Sequence, residues 1–338
     1  MIKIEKGFSS KTHKSSSLLD LAKEHYDRVL EKNRTYVSPL TKLEEKLLEI
    51  RAIVPQTDET ILKIRFLEKV TARKEFKKLL TSSLDKFQDI INDYQEFNSL
   101  FENKKYKDYL ELFGYSRLRG LRLMYTLAMD LGIKTCPYCN NNYILTIKKS
   151  KKANLHFDHF YSKSEYPYLS LNFYNLIPCC AVCNTAKSDK KFDFKDYIHP
   201  YFDSLSNKFD FTTDGDSIFD MILDGSKDLT KMKVRLAAKN GYSGLVEKHD
   251  NVFNLSEVFN EHSDVVYEVY AKQYIYTDEF KELLLDNFQN QFSKEEMERF
   301  LLGNYSLESE INKRPLAKLM QDIQKEAKKA IESSKTNL

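Results

Sequence analysis

The sequence predicts a mainly α-helical protein with one small, cysteine-braced module set in its middle. Two observations carry this. Apolar residues recur at helical spacing on both sides of the centre, in a chain with nine glycines, seven prolines and no tryptophan. All five cysteines lie between Cys136 and Cys183. The 338 residues suffice for two or three domains, and the pattern divides them into a helical region 1–113, a central module 114–200 and a mostly helical region 201–338. At 41% apolar and 30% charged, the composition supports a packed core and excludes wholesale disorder. A net charge of +3 excludes a globally basic binder but leaves room for a local basic groove.

The first 16 residues, polar and rich in Ser and Lys, read as a flexible start without the apolar run of a signal peptide. No stretch approaches the roughly 18 apolar residues of a membrane span, so the expectation is a cytoplasmic protein with no membrane partner. A helix is expected from about Leu18 to Leu30 with Ser17 as its cap. Thr41 and Glu44 have capping-box spacing ahead of Leu43, Leu47, Ile50 and Val54, a pattern that Pro55 stops. Helical periodicity continues over Asp58–Leu80 and Leu84–Phe101. These helices form a bundle that packs on itself or offers a face to a partner protein. Basic and aromatic residues interleave from Lys104 to Arg122, and Arg117, Arg119 and Arg122, with Lys163 further on, are candidate nucleic-acid contacts. The competing reading is the solvated face of a helix.

Beyond the module, strand-like alternation at Lys208–Thr212 and Ser217–Leu223 flanks an Asp214-Gly215 turn signal. Helices are expected at Leu229–Lys239, Leu255–Ile275, Thr277–Phe288, Lys294–Leu301 and Pro315–Ser333. There is no internal repeat.

Cys136/Cys139 and Cys180/Cys183 form two CxxC pairs. A CxxC turn presents two thiolates, and two such turns complete the tetrahedron that Zn²⁺ prefers. Four sulfurs leave no open position for water, so this zinc is expected to be structural. Cys179 is off-register and reads as a free thiol or core residue. Reduced CxxC pairs also fit an intracellular setting better than a disulfide framework.

The chemistry lies between the knuckles. Leu155–Phe160 reads as a strand carrying His156 and the Asp158-His159 pair. Phosphodiester cleavage needs an activated water and a cation near the phosphate. Asp158 is a hard oxygen ligand for Mg²⁺ or Mn²⁺, and His159 is a base near neutrality. Strict alternation would pair His156 with Asp158, so joint use of Asp158 and His159 requires a bulge or a strand end. His156 and His199 read as packed neighbours, and Tyr166, Tyr168, Phe173 and Tyr174 as the core of a small module.

The order CxxC, DH, NL, CxxCN, K resembles the HNH family of nucleases. The resemblance implies a small ββα-metal (HNH) nuclease module braced by the zinc knuckle pair. It implies His159 as general base, Asn175 positioning the base loop, and Asp158 and Asn184 holding the catalytic divalent cation. It also implies Lys187 as a phosphate contact. The wording FDHFYSKSEYPYLSLNFYNLIPCCAVCN, with RPLAKLMQDI at Arg314–Ile323, is similar to HNH effector subunits of Septu-type and retron-associated anti-phage systems. That similarity implies an ATPase partner and a nucleic-acid substrate, DNA before RNA. Two departures are Ser162, where the family usually has proline, and Cys179, where it more often has serine. The alternative from another class is a non-catalytic, zinc-stabilised binding module.

Overall fold

The computed structural model describes all residues except 1, 32–35, 117–121, 215–217, 219–220, 224, 227–228, 230–231, 289–290 and 337–338. Among the described residues the chain is mostly helical, with four two-stranded antiparallel sheets. The strands are β1 (Lys6–Ser9), β2 (Lys14–Ser17), β3 (Leu145–Ile147), β4 (Lys152–Asn154), β5 (His156–His159), β6 (Leu176–Cys179), β7 (Phe209–Thr212) and β8 (Arg235–Ala238), paired in sequence order. The helices in the first part of the chain are α1 (Leu18–Leu30), α2 (Pro39–Arg51), α3 (Asp58–Thr71), α4 (Arg73–Thr81), α5 (Phe87–Tyr94), α6 (Tyr106–Leu112), α7 (Arg122–Leu131) and α8 (Ala181–Lys187). Further on come α9 (Ser243–Phe253), α10 (Leu255–Asn260), α11 (Ser263–Ile275), α12 (Asp278–Asn287), α13 (Lys294–Leu302) and α14 (Ala317–Thr336). No described helix is long and apolar enough to cross a membrane.

The chain divides into two compact units: Ile4–Ile133 with Ile144–Phe202, and Met1–Lys3 with Lys134–Tyr143 and Asp203–Leu338. In the first unit, the start expected to be flexible is the β1–β2 hairpin. Its anchor is Asp130, which accepts from Ser10 N at 2.8 Å and pairs with Arg28. Gly7 runs so close to helix α7 that a Cβ there would sit 2.1 Å from the carbonyl oxygen of Asp130, so only glycine fits. Ser17 caps α1 through Asp20 N, as its spacing predicts. The next cap is Ser38, not Thr41: Pro39 takes the first helical position and Thr41 N donates to Ser38 Oγ. That helix ends at Arg51, leaving Val54 exposed.

Two expected long helices are broken. Asp58–Leu80 splits at Ala72, whose ψ of 114° leaves the helical region, into α3 and α4. Leu84–Phe101 becomes a 3₁₀ turn, α5 and a second 3₁₀ turn over Gln95–Leu100. The three-residue period of that turn puts Tyr94, Phe97 and Leu100 on one buried side. There Phe66 meets Tyr94, Phe97, Phe101 and Tyr109 edge-on, at centroid separations between 5.2 and 6.2 Å.

This aromatic core continues into the central segment. Tyr168 stacks on Tyr94 at 4.4 Å. The Asn172 amide donates to Leu79 O at 2.8 Å and Ser82 O at 3.1 Å, satisfying carbonyls that α4 leaves unpaired at its end. The buried His25 ring lies 2.9 Å from Leu171 O through Nε2. The helices of the first hundred residues thus form the bed on which the loop between β5 and β6 is laid.

In the second unit, β7 pairs with Arg235–Ala238, where a helix was expected. Leu, Ala and Ala favour a helix intrinsically, but pairing with β7 overrides that preference. Of the expected strand Ser217–Leu223, residues 217, 219 and 220 lie outside the described residues, and 218 and 221–223 are helical. The expected helix Leu255–Ile275 is interrupted at Glu261-His262. The Arg314–Ile323 stretch begins α14, and Asn140 holds its start. Asn140 O and Oδ1 accept from Leu316 N and Lys318 N, while its amide donates to Ile311 O. Further along α14, Asp322 accepts from Phe211 N at 2.9 Å and Glu326 from Thr213 N, so the helix also holds β7.

Candidate functional site

β5 and β6 pair in the register His156↔Cys179, Phe157↔Pro178, Asp158↔Ile177 and His159↔Leu176, and α8 follows at once. Cys180 starts that helix as its cap, its sulfur accepting from Cys183 N at 3.4 Å. Hairpin and helix together border a cavity of about 650 Å³. His156, Asp158, His159 and Asn184 all line it, with Thr185, Ser188 and Asp189 from the end of α8. Lys151, Lys152 and Lys163 give the cavity a basic wall, and Tyr115 and Tyr125 an aromatic one.

His159 is the last residue of β5. The cavity is lined by the run from Leu155 to His159, both faces of the strand included, so adjacent Asp158 and His159 border it together; both are only 5% exposed. The His159 ring is held in two ways. Its Nε2 lies 2.9 Å from Ser170 O, and Tyr115 meets it edge-on at 4.7 Å. A carbonyl oxygen can only accept, so Nε2 carries a proton, and in the neutral form of the ring the lone pair is on Nδ1.

Asn175 is fully buried and lines no part of the cavity. Its Oδ1 accepts from Tyr161 N at 2.7 Å, and its amide donates to Tyr161 O and Leu169 O, both at 3.1 Å. Those bonds close the loop that carries Ser170, and so fix the carbonyl that sets the His159 tautomer. Ser162, standing where the resemblance leads one to expect proline, shapes the same loop by hydrogen bonds. Its Oγ accepts from Ser164 N, and its carbonyl accepts from Glu165 N and Tyr166 N.

Lys187, expected beside phosphate, stands elsewhere. It is 0% exposed; its ammonium donates to His159 O at 2.7 Å and lies 3.3 Å from Asp158. The last turn of α8 thus inserts a cation beneath the strand end. Of the four candidate nucleic-acid contacts, Lys163 lines the cavity with its ammonium 5.1 Å from the centre of the Tyr115 ring. Arg117 and Arg119 lie outside the described residues, and of Arg122 only the backbone, at the start of α7, is described.

Cys136, Cys139, Cys180 and Cys183 are buried, with sulfurs all within 4.8 Å of one another. Tetrahedral Zn²⁺ with Zn–S bonds of ~2.3 Å needs sulfurs about 3.8 Å apart, so the set fits a four-thiolate ion. Knuckle N–H groups support the charge: Asn141 N approaches Cys139 Sγ at 3.4 Å, as Cys183 N approaches Cys180 Sγ. Cys179 is buried in β6 and is not a member of this cluster. Asp158 and Asn184 offer oxygen donors, the chemistry of a hard divalent cation rather than of a second zinc site.

His199 is buried, its ring lies tilted against Phe160 at 4.2 Å and it accepts from Tyr201 N; burial lowers its pKa to about 3. It is a neutral core histidine. Tyr166, Tyr168, Phe173 and Tyr174 all take part in ring contacts of the first unit.

An antiparallel hairpin leads directly into a helix, with a histidine at the strand end beside a basic cavity and four clustered cysteines. Residues 136–190 match the model of the family described as HNH endonuclease. Comparison with curated proteins and with solved structures gave no match.

The sequence reading missed Lys151 and Lys152 on the cavity wall and the part played by Ser170. The lysines were visible as a run with no acidic neighbour; nothing in the sequence marks a residue that acts through its carbonyl.

Proposed function

We propose that the chain is a metal-dependent endonuclease hydrolysing phosphodiester bonds of nucleic acid, with His159 as the general base that takes a proton from the attacking water. The observation that carries the reading is the bond between His159 Nε2 and Ser170 O, which leaves Nδ1 as the basic nitrogen of a ring bordering the cavity. Asp158 and Asn184 would hold Mg²⁺ or Mn²⁺, which when bound supplies positive charge to the scissile phosphate and the departing oxygen. Asn175 keeps the loop around the base in shape. Lys187 is a positioning residue, joining the backbone of His159 to the carboxylate of Asp158. The four cysteines hold Zn²⁺ and take no part in the chemistry. Products carry 5′-phosphate and 3′-hydroxyl ends.

The finer reading is a DNA-cleaving defence effector working in the cytoplasm with an ATPase partner. Its support is the similarity of the central segment and of RPLAKLMQDI to such effectors, and copurification with the neighbouring gene's product tests it. For the chemistry, plasmid cleavage by His159→Ala should fall by roughly 10²–10⁴-fold, the span typical of a lost general base. A variant that cuts as fast as the parent in the same metal would end the assignment.

A further inference from the structure

The hairpin made by β3 and β4 has no role in the hydrolytic centre, yet it ends on the cavity wall. Its turn and the start of β4 hold Lys148, Lys149, Lys151 and Lys152, all exposed, and the last two line the cavity. Between Asp130 and Asp158 the sequence has no acidic residue and five lysines.

Several lysines on or beside the helices of the same unit behave differently. Lys23, Lys46, Lys63, Lys78 and Lys105 each pair with an Asp or Glu, as expected of a solvated helical face. Among the described residues, none of the four hairpin lysines has a carboxylate within ion-pair reach. The turn also spends stability on its charge. Lys151 closes it by donating to Lys148 O, with φ of 52°, a left-handed conformation that glycine or asparagine adopts more easily. Both strands expose side chains, Leu145 and Ile147 among them, so one face of the ribbon is open to solvent. Unpaired ammonium groups running from the turn to the wall of a phosphodiesterase cavity have the chemistry of a polyanion track.

We infer that the β3–β4 hairpin grips the phosphate backbone of the nucleic acid next to the scissile bond, with Lys151 and Lys152 nearest the cavity and Lys148 and Lys149 further out. This rests on the nuclease reading of the adjoining site. It names a second contact surface, separate from the residues that do the chemistry.

The test uses the full chain with all four lysines changed to glutamine, and a second form with all four changed to arginine. Binding of a labelled 30-base-pair DNA is measured across a salt series in a His159→Ala background, and cleavage of plasmid and of a small aryl phosphodiester in the His159 background. The glutamine form should bind at least tenfold more weakly at low salt, with the slope of log affinity against log salt reduced by about 0.9 for each phosphate no longer neutralised. Its loss on plasmid should exceed its loss on the small diester at least tenfold, and the arginine form should retain both. Unchanged affinity and slope, equal losses on both substrates, or an arginine form as weak as the glutamine form would each overturn the inference. A parent protein that hydrolyses neither substrate would sink the nuclease reading instead, while the salt slope still judges the hairpin.

Discussion

The two sites of the central segment differ in almost every physical respect although they share one stretch of sequence. The cysteine cluster is soft and closed: four buried sulfurs within 4.8 Å of one another, braced by knuckle N–H groups. The centre around His159 is hard and open: a carboxylate, an amide and an imidazole around a cavity of about 650 Å³. A closed tetrahedron can lend rigidity but has no place for a reactant. An open site admits water and substrate, and so needs its geometry fixed from outside. Here that work falls to Asn175 through the loop, to Ser170 O on the ring, and to Lys187 beneath Asp158. On the proposed reading, clamp and catalyst use separate ligand sets, so each should fail in its own way.

The largest separation is expected from Cys180→Ser. It should abolish zinc retention and the cooperative unfolding transition, because structural zinc binding is worth ~10–16 kcal/mol in small zinc domains. Asp158→Ala should leave one zinc per chain. Zinc content with a thermal melt checks both; a cysteine variant that melts like the parent would erase the distinction. Next comes Lys187→Met, which leaves the buried Asp158 carboxylate without its cation. That should cost about 3–5 kcal/mol, measured as a lowered urea midpoint with zinc retained. If Lys187 were a solvated phosphate contact, stability would hardly change.

The smallest effect concerns the scaffold beneath the open site. Burial lowers the pKa of His25 to about 4 and of His199 to about 3. Both are depressed below the ~6.5 of an unfolded histidine, so between these values the unfolded chain binds more protons and stability rises with pH. The contribution is complete above about pH 6.5 and is lost as pH falls towards 4 and then 3. Urea midpoints taken from pH 7 down to pH 4.5 should therefore decline, and His199→Gln should flatten the decline.

Much of this was legible in the sequence, because the informative signals were chemical and local. Two CxxC pairs announce a sulfur tetrahedron by spacing alone. Ser17 caps α1, as its place just before Leu18 predicts. What escaped was decided by partners distant along the chain. Arg235–Ala238 is strand because β7 lies beside it, and the polar N-terminus is ordered because Asp130 holds it. Lys187 reads as a surface lysine until the end of α8 carries it under the end of β5. The tautomer of His159 depends on Ser170, whose side chain says nothing about its carbonyl.

The division of labour is tested most directly by measuring plasmid cleavage on zinc-replete protein freed of other divalent cations, with zinc content followed in the same sample. The account predicts no cleavage until Mg²⁺ or Mn²⁺ is added, full cleavage afterwards, and one zinc per chain throughout. Cleavage that proceeds without the added cation, or that rises and falls with zinc occupancy, would contradict it.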